Sequence, residues 1–172
     1  PSISATAGKG ASLGALTFHN QGTPQSSVGL AGLSTATMGF AGGVVGCYLA
    51  TRDPFWTMSG GLVGIISVAA GLDLYDPGLA FVIATCVSFV AVFAAKKLEK
   101  MGIDDAVGAV SVHGVTGVVA VILVGVFAAG QPNVGDDPAI SLYGQTLCAL
   151  VMALVGFVPG YLVSYLLKKL KV

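Results

Sequence analysis

A single histidine, His113, lies within the long uncharged stretches of this sequence, and it is the residue there best suited to proton chemistry. The segment around it starts with Asp104-Asp105 and continues to Val112-His113-Gly114. If a helix begins at Asp105, a rise of about 1.5 Å per residue places His113 roughly 12 Å beyond the helix start. An imidazole at that depth in a membrane is costly, and because it can donate and accept protons it indicates ion passage or a proton relay. A neutral histidine bonded to a carbonyl of a neighbouring helix is the alternative.

The paired carboxylates of Asp104 and Asp105 have a structural interpretation. Carboxylates at a helix start accept hydrogen bonds from unpaired backbone N–H groups and suit the positive end of the helix dipole. We therefore predict that both residues cap the helix and anchor the preceding loop, rather than contact a substrate directly.

Other patterns that would indicate catalysis or metal binding are absent from the sequence. It has no phosphate-binding glycine loop followed by Lys-Ser/Thr, no nucleophile elbow and no cluster of metal ligands. Cys47, Cys86 and Cys148 lie in three separate apolar runs, and we interpret them as small buried hydrophobic residues. We predict that the protein is not an enzyme and has no metal site or other cofactor.

The composition indicates which elements must position these residues. Of 172 residues, 55% are hydrophobic and only 9% are charged, which is far less charge than a water-exposed surface of this size carries. The mean hydropathy of +0.88 agrees with a chain surrounded by membrane lipid. Eight basic residues balance eight acidic ones, so no net charge attracts nucleic acid and no such partner is expected.

Five uncharged runs are long enough, or nearly long enough, to cross a hydrocarbon core of about 30 Å. They cover residues 28–50, 55–72, 79–95, 106–129 and 140–167. Their high Gly and Ala content and their lack of strict alternation favour helices over barrel strands. We predict an all-α, polytopic transmembrane helix bundle of about five spanning helices in residues 28–172, preceded by a polar outer-surface segment in residues 1–27.

The charged residues predict how this bundle is oriented. Seven basic residues follow the first, third and fifth runs: Arg52, Lys96, Lys97, Lys100, Lys168, Lys169 and Lys171. Acidic residues follow the second and fourth runs: Asp73, Asp76, Asp136 and Asp137. The positive-inside rule places the N-terminus outside and the C-terminus in the cytoplasm. We therefore predict a multi-pass protein of the cell membrane.

Small residues recur at four-residue spacing in the first two runs. The pairs are Gly39/Gly43, Gly42/Gly46 and Gly60/Gly64. Because lipid provides no hydrophobic drive for helices to associate, such pairs allow the close backbone contact that holds helices together. We predict that these glycines pack helices and do not act as hinges.

Several of these residues resemble a known family. The run Asp104-Asp105, the motif Val112-His113-Gly114-Val115-x-Gly117 and the motif Gly125-x-Phe127-Ala128 are similar, without a gap, to the tenth helix of ammonium transporters of the Amt/Rh family. The motif Ser59-Gly60-Gly61-Leu-Val-Gly64 resembles the eighth helix of that family. The resemblance extends over about residues 28–167 and corresponds to the last five helices of an eleven-helix fold.

The resemblance implies a homotrimer in which each protomer has its own narrow, apolar pore. In the family, ammonium loses its proton near the outer mouth, and neutral ammonia passes two pore histidines that help carry the proton onward. His113 matches the second of these histidines, so the resemblance assigns it to the pore and the proton relay. The resemblance gives structural roles to further residues, alongside the two capping aspartates: Ser59, Gly60, Gly114, Gly117 and Gly125.

The chain departs from the family pattern at several positions. The first pore histidine belongs to a fifth helix that this sequence lacks, so a missing N-terminal half on the same or another chain is needed to complete the pore. Gly108 stands where a third acidic residue is usual, and Ala69-Ala70 stands where Thr-Pro is usual. The sequence ends at Val172, without the long cytoplasmic tail through which many members meet PII-type regulators, so contact with such a regulator is not expected.

Two functions are compatible with these observations. The first is transmembrane transport of ammonium or ammonia through a hydrophobic pore with a histidine proton relay, as part of a larger transporter. The intact motif Val112-His113-Gly114 favours it. The alternative is a non-conducting relative, either an Amt-like ammonium sensor or a structural subunit of a membrane complex, and the altered positions Gly108 and Ala69-Ala70 favour that alternative.

Overall fold

The structure is a computed structural model, and it describes residues 2–6, 17–21, 28–131 and 139–170. Two strands come first, β1 (Ser2–Thr6) and β2 (Thr17–Gln21). The helices follow in this order: α1 (Val28–Thr51), α2 (Pro54–Ala69), α3 (Pro77–Lys100), a π-helical segment (Ala109–Val115), α4 (Thr116–Phe127) and α5 (Leu142–Leu170).

The predicted membrane-type helix bundle is confirmed. Four helices in the part of the chain that the structure describes are long and apolar enough to cross a membrane: Gly32–Thr51, Pro77–Lys100, Ala109–Phe127 and Leu142–Leu170. The third of these joins the π-helical segment to α4. The helix α2 is also apolar but has only 16 residues, or about 24 Å of helix. The second of the five predicted runs therefore forms a shorter helix.

The two strands are a feature that the sequence did not predict. They pair antiparallel, from Ser2 opposite Gln21 to Thr6 opposite Thr17. The first strand does alternate polar and apolar residues, but five residues are too few for alternation to distinguish a strand from a loop. Residues 7–16 and 22–27 lie outside the described ranges, so the outer-surface segment stays a prediction.

Aspartates followed by proline begin two of the helices. Asp53 precedes Pro54, and its carboxylate accepts a hydrogen bond from a first-turn backbone N–H of α2 at 3.0 Å. Asp76 precedes Pro77 and accepts from two first-turn N–H groups of α3 at 2.9 and 3.1 Å. A carboxylate at this position satisfies donors that have no partner in the helix, and proline has no N–H to leave unpaired. Both helices therefore begin at their prolines.

Glycines bring α1 close to α2 and α3. A Cβ atom on Gly43 would overlap the carbonyl oxygen of Gly60 in α2. On the other side of α1, a Cβ atom on Gly42 would overlap the carbonyl oxygen of Phe81 in α3. The hydroxyl of Ser88 in α3 also donates a hydrogen bond to the carbonyl of Gly43 at 3.3 Å. The prediction that these glycines pack helices is confirmed.

Two apolar clusters form the core around these contacts. The first lies toward the end of the bundle where α3 begins, which we call the acidic end, and its buried members are Val68, Tyr75, Ala80, Ile83, Ala84, Val87, Val124 and Ala128. The second lies toward the end where α3 finishes at its lysines, which we call the basic end, and its buried members are Cys47, Val63, Ala91, Val92 and Val112.

The helix α5 stands apart from this core. It is 29 residues long, and Ala149 is its buried residue. Its first turn packs on α4, where a Cβ atom on Gly125 would lie 2.7 Å from the Cα of Leu142. Beyond Ala149, α5 exposes apolar side chains on all sides. The described bundle therefore has a compact part, α1 to α4, and one extended apolar helix.

The cysteines require a correction. Cys47 is buried as predicted, but Cys86 and Cys148 are exposed, and all three are free thiols. A membrane-spanning helix is apolar on every side, whether a given side faces protein or lipid. An apolar run therefore does not indicate which of its small residues are buried, and the prediction of burial is wrong for two of the three.

Candidate functional site

His113 lies in the π-helical segment, which follows Gly108. The backbone N–H of His113 donates to the carbonyl of Gly108 at 3.1 Å, five residues back. The hydroxyl of Thr116 donates to the carbonyl of Ser111 at 3.2 Å, which is again five residues back. Turns closed by a backbone bond to the fifth residue back are π-helical turns, which are rare and occur frequently at functional sites. The segment continues into α4, so His113 belongs to an apolar helical stretch of 19 residues.

This stretch begins later than the sequence predicts. Residues 101–108 form turns and irregular structure, and helical conformation starts at Ala109 rather than at Asp105. Gly108 has a φ of +67°, in the left-handed region that glycine adopts without steric cost, and this interrupts the chain before the helix. His113 is therefore about one turn from the helix start, and not about two turns.

The π-helical segment directs His113 away from the described bundle. Ser111 and Val112 are buried, with exposures of 1% and 5%, whereas His113 and Gly114 are exposed. We call the side that carries these two residues the open side. Within the described ranges the imidazole makes no hydrogen bond, so the alternative of a histidine bonded to a neighbouring carbonyl is not found there.

The carboxylate of Asp105 binds the start of the segment. Its oxygens accept hydrogen bonds from the backbone N–H of Val110 at 3.1 Å, the N–H of Ser111 at 2.9 Å and the hydroxyl of Ser111 at 2.8 Å. Burial by itself would raise the pKa of the Asp105 carboxyl, but these bonds, with one from the N–H of Ala109, lower it below its usual value. Asp104 is exposed and makes no hydrogen bond within the described ranges.

An open cavity of about 470 Å³ lies beside these aspartates at the basic end. Aromatic and hydroxyl side chains from the start of α2 and three carboxylates contribute to its lining: Phe55, Trp56, Ser59, Glu99, Asp104 and Asp105. The structure thus brings the predicted residue Ser59 to the same cavity as the two predicted aspartates. Despite these carboxylates, no group of three or more metal-binding side chains is found in the part of the chain that the structure describes.

The predicted structural glycines have different surroundings. Gly60 and Gly125 make close helix contacts, with α1 and with the first turn of α5 respectively. A Cβ atom on Gly114 would meet only an ordinary contact at 3.5 Å, and one on Gly117 would meet nothing within 4 Å. Residues four apart lie on the same side of a helix, so Gly117 follows His113 along the open side. Room for another molecule or segment is therefore left beside the imidazole.

Ser111 is the residue of this site that the sequence did not indicate. Both its N–H and its hydroxyl bind Asp105, six residues earlier. A capping pair normally spans three residues, and here the left-handed turn at Gly108 lengthens the connection. Because the spacing depends on that turn, local sequence patterns carry no signal for this pair.

Comparison with known proteins gives a consistent result. The profile of the Ammonium Transporter Family matches residues 14–172. The ammonium transporter Amt1 of Methanocaldococcus jannaschii is 33% identical over 159 residues, which cover 90% of this chain and 38% of that protein. Amt2 of the same organism is 32% identical over 132 residues, covering 76% of this chain and 31% of that protein.

A third relative is similar to a shorter part of this chain. The ammonium transporter of Aquifex aeolicus is 38% identical over 99 residues, covering 52% of this chain and 23% of that protein. The chain thus spans less than two fifths of the length of these relatives. The family profile covers nearly all of it, and the resemblance carried by His113 and its neighbours falls within the matched residues. The chain therefore belongs to the ammonium transporter family.

Proposed function

We propose that this chain forms the C-terminal part of an ammonium transporter, in which ammonium or ammonia crosses the membrane through an apolar pore and His113 takes part in a proton relay. One observation carries the proposal: His113 lies in an apolar helical stretch long enough to span a membrane, and it is exposed on the open side of the bundle.

The cost of exposing an ionisable group to lipid supports a pore on the open side, next to His113. Ionisable side chains within membrane spans face the interior of a bundle or a water-filled path. In the described bundle His113 faces outward. The chain spans only 38% of the length of Amt1 of M. jannaschii, so a protein of that length has many further residues to cover the open side. We infer that the pore lies between this bundle and a remainder on the same or another chain.

The residues near His113 suit a dry pore. Val110, one turn earlier, is 46% exposed, and Gly114 and Gly117 have no side chains. These residues contribute no side-chain oxygen that could replace the hydration shell of K⁺, so K⁺ meets a high desolvation cost beside them. Ammonium can instead leave its proton on a base and cross as neutral ammonia. Selectivity then arises because only ammonium can lose its charge.

The proposal includes an assembly and a location. Residues 28–172 form the transmembrane bundle of a homotrimer in the cell membrane, surrounded by lipid, and residues 1–27 form an outer-surface segment. The lysines at the ends of α3 and α5 support an outside N-terminus and a cytoplasmic C-terminus. The relatives described above are named as transporters, and we propose a transport role without catalysis for this chain.

Reconstitution tests this proposal. Liposomes containing the full transporter that includes this chain should give a saturable ammonium-driven current. His113→Ala should abolish this current or make it less selective against K⁺, because the relay and the polar group of the pore are removed. The control is Ser164→Ala, an exposed position on α5, which should leave the current unchanged. An unaltered, selective current in His113→Ala would contradict the relay.

A non-conducting ammonium sensor or structural subunit is the second candidate. Gly108 favours it, because the third acidic residue usual in the family is absent and the backbone there disfavours any side chain. The φ of this residue is +67°, and a Cβ atom would lie 2.6 Å from the side chain of Val112. Saturable ammonium binding without current would favour a sensor. A stable larger complex with neither binding nor current would favour a structural subunit.

A further inference from the structure

The start of the π-helical segment is held by a side chain that lies outside the usual capping position. That position is occupied by Gly108, which has no side chain and has a φ of +67°. The carboxylate of Asp105 takes its place by accepting from the N–H groups of Val110 and Ser111. The carbonyl of Asp105 also accepts from the N–H of Gly108 at 2.9 Å. Asp105 thus closes the whole turn that precedes the helix.

The π-helical segment that follows has a specific register, which is defined by its backbone hydrogen bonds. The carbonyl of Gly108 accepts from the N–H of Val112 at 2.8 Å and also from the N–H of His113 at 3.1 Å. The first bond is of α type, and the second is of π type, which widens the turn by one residue. In this register Ser111 and Val112 face the bundle, while His113 faces the open side.

The other end of the segment is fixed by α4. Thr116, Ala120 and Val124 are buried at four-residue spacing, with exposures of 0%, 2% and 3%, so α4 cannot rotate freely to absorb a change of register. Each residue of an α-helix turns by about 100°. If the wide turn relaxed to an α turn, the residues between Gly108 and Thr116 would rotate by up to about that angle, and His113 would leave the open side.

We infer that Asp105 is a positioning residue for His113, because its bonds to Val110 and Ser111 maintain the register that directs the imidazole into the pore. The inference rests on the proposed function, since it requires that His113 lines a pore. Asp105 acts through His113 and does not touch the transported molecule. Asp104 is adjacent, exposed and without hydrogen bonds within the described ranges, so it is a matched control.

A double-mutant cycle on the ammonium-driven current of the full transporter tests this role. Asp105→Ala should lower the current by about tenfold to a hundredfold, the order of loss that follows when a reacting group moves by about 1 Å. Where His113→Ala leaves a residual, less selective current, Asp105→Ala should change that current by less than about twofold, because no imidazole remains to be positioned. Where His113→Ala abolishes the current, hydrogen–deuterium exchange decides instead. Asp104→Ala should match its parent in both backgrounds.

Hydrogen–deuterium exchange provides a measurement that does not depend on transport. Asp105→Ala should accelerate exchange at the amides of Val110 and Ser111, while the amides of α2 stay as in the wild type. Asp105→Asn keeps one oxygen acceptor for a backbone N–H, so its exchange and its current should lie between those of the wild type and the alanine variant. Asp105→Asn also replaces the alanine variant in the cycle if the latter does not fold.

The results separate this inference from the proposed function. If Asp105→Ala lowered the current equally with and without His113, the positioning role would be overturned and the proposed pore would stand. A wild-type current in Asp105→Ala would have the same consequence. Unchanged exchange at Val110 and Ser111 would also overturn the positioning role, because the carboxylate would then not hold the segment. A wild-type current in His113→Ala would overturn the proposed function, and with it any role of Asp105 in transport.

Discussion

His113 and Asp105 lie in one short stretch of chain but differ in hydrogen bonding and in exposure. The Asp105 carboxylate accepts three hydrogen bonds that lower its pKa and keep it ionised at neutral pH. The His113 ring has no hydrogen-bond partner in the described ranges and is exposed. Of the two, only the imidazole is therefore free, within those ranges, of hydrogen bonds that hold it in place. A fixed carboxylate and an unbonded imidazole thus lie within about two turns of each other.

Tyr75 has a third kind of environment, at the acidic end. Its side chain is 5% exposed, and its hydroxyl is buried without a hydrogen-bond partner among the described residues. The ring packs edge-on against Phe127, with centroids 6.5 Å apart. Burial raises the pKa of Tyr75 to about 12, so the phenol remains neutral. An unpaired buried hydroxyl of this kind lowers stability.

We predict that Tyr75→Phe stabilises the bundle. The substitution keeps the packing of the ring and removes a hydroxyl whose burial without a partner costs about 1–3 kcal/mol. The unfolding temperature of the purified protein in detergent should rise. Tyr161→Phe, at an exposed position on α5, should leave that temperature unchanged. A fall for Tyr75→Phe would contradict the prediction and would indicate a partner for the hydroxyl outside the described ranges.

The residue types in the sequence were enough to predict some features of these residues but not others. A lone histidine in an apolar run predicts a functional residue because its exposure to lipid is costly. The structure shows that His113 is exposed on the open side, and its role stays a prediction. The partnership of Asp105 with Ser111 was not predictable, because it depends on a left-handed turn at Gly108. The burial of Tyr75 was not predictable either, because it depends on packing between α2, α3 and α4.

At the scale of elements, the contact between α1 and α2 depends on the absence of side chains. We predict that Gly43→Ala destabilises the bundle by about 1–3 kcal/mol, as overpacking does elsewhere, because the new Cβ would overlap the backbone of α2 at Gly60 and Gly64. Backbone atoms cannot move aside as a flexible side chain can. The unfolding temperature in detergent should fall.

Gly32 provides the matched control for this substitution. It lies on the same helix, α1, but a Cβ atom there would meet nothing within 4 Å. Gly32→Ala should therefore leave the unfolding temperature unchanged or raise it slightly, since alanine favours helix over glycine by about 1 kcal/mol. If both substitutions had the same effect, close packing at Gly43 would not be what holds α1 to α2.

The boundaries of the helices show what local signals can and cannot predict. The Asp-Pro pairs before α2 and α3 are local signals, and both helices begin there. The end of α2 carries a weaker signal, Gly71 directly after the last helical turn, because apolar residues continue to Leu72 although the helix ends at Ala69. A turn replaces the helix there, and Gly71 in that turn lies against the ring of Tyr75. The contact joins residues only four apart and is therefore local, but hydropathy alone carries no information about it.

At the scale of the whole molecule, the exposure of α5 is the main departure from a closed bundle. Its row of aromatic side chains, Phe157, Tyr161 and Tyr165, stacks at centroid distances of 5.9 and 6.5 Å and is exposed. The sequence predicted the existence of this span from its length and composition. Its packing partners could not be predicted, because a chain with 38% of the length of Amt1 contains only some of the helices of such a protein.

The two ends of α3 offer a test of the predicted orientation. Asp73 lies just before α3 and Lys100 ends it, and both are exposed. A helix of 24 residues separates its ends by about 36 Å, enough to place them on opposite sides of a membrane. In a transporter whose native cysteines, including Cys47, Cys86 and Cys148, are replaced by alanine, Asp73→Cys should react with a membrane-impermeant thiol reagent on intact cells. Lys100→Cys should react only after permeabilisation.

The same labelling decides whether the short helix α2 crosses the membrane. Its 16 residues cover about 24 Å, less than a hydrocarbon core of about 30 Å, so the turn after it must contribute to the crossing. If α2 crosses, Phe55→Cys at its start should be protected on intact cells while Asp73→Cys reacts. Reaction of both on intact cells would show that α2 returns to the side it started from. Reaction of Lys100→Cys but not of Asp73→Cys on intact cells would reverse the predicted orientation.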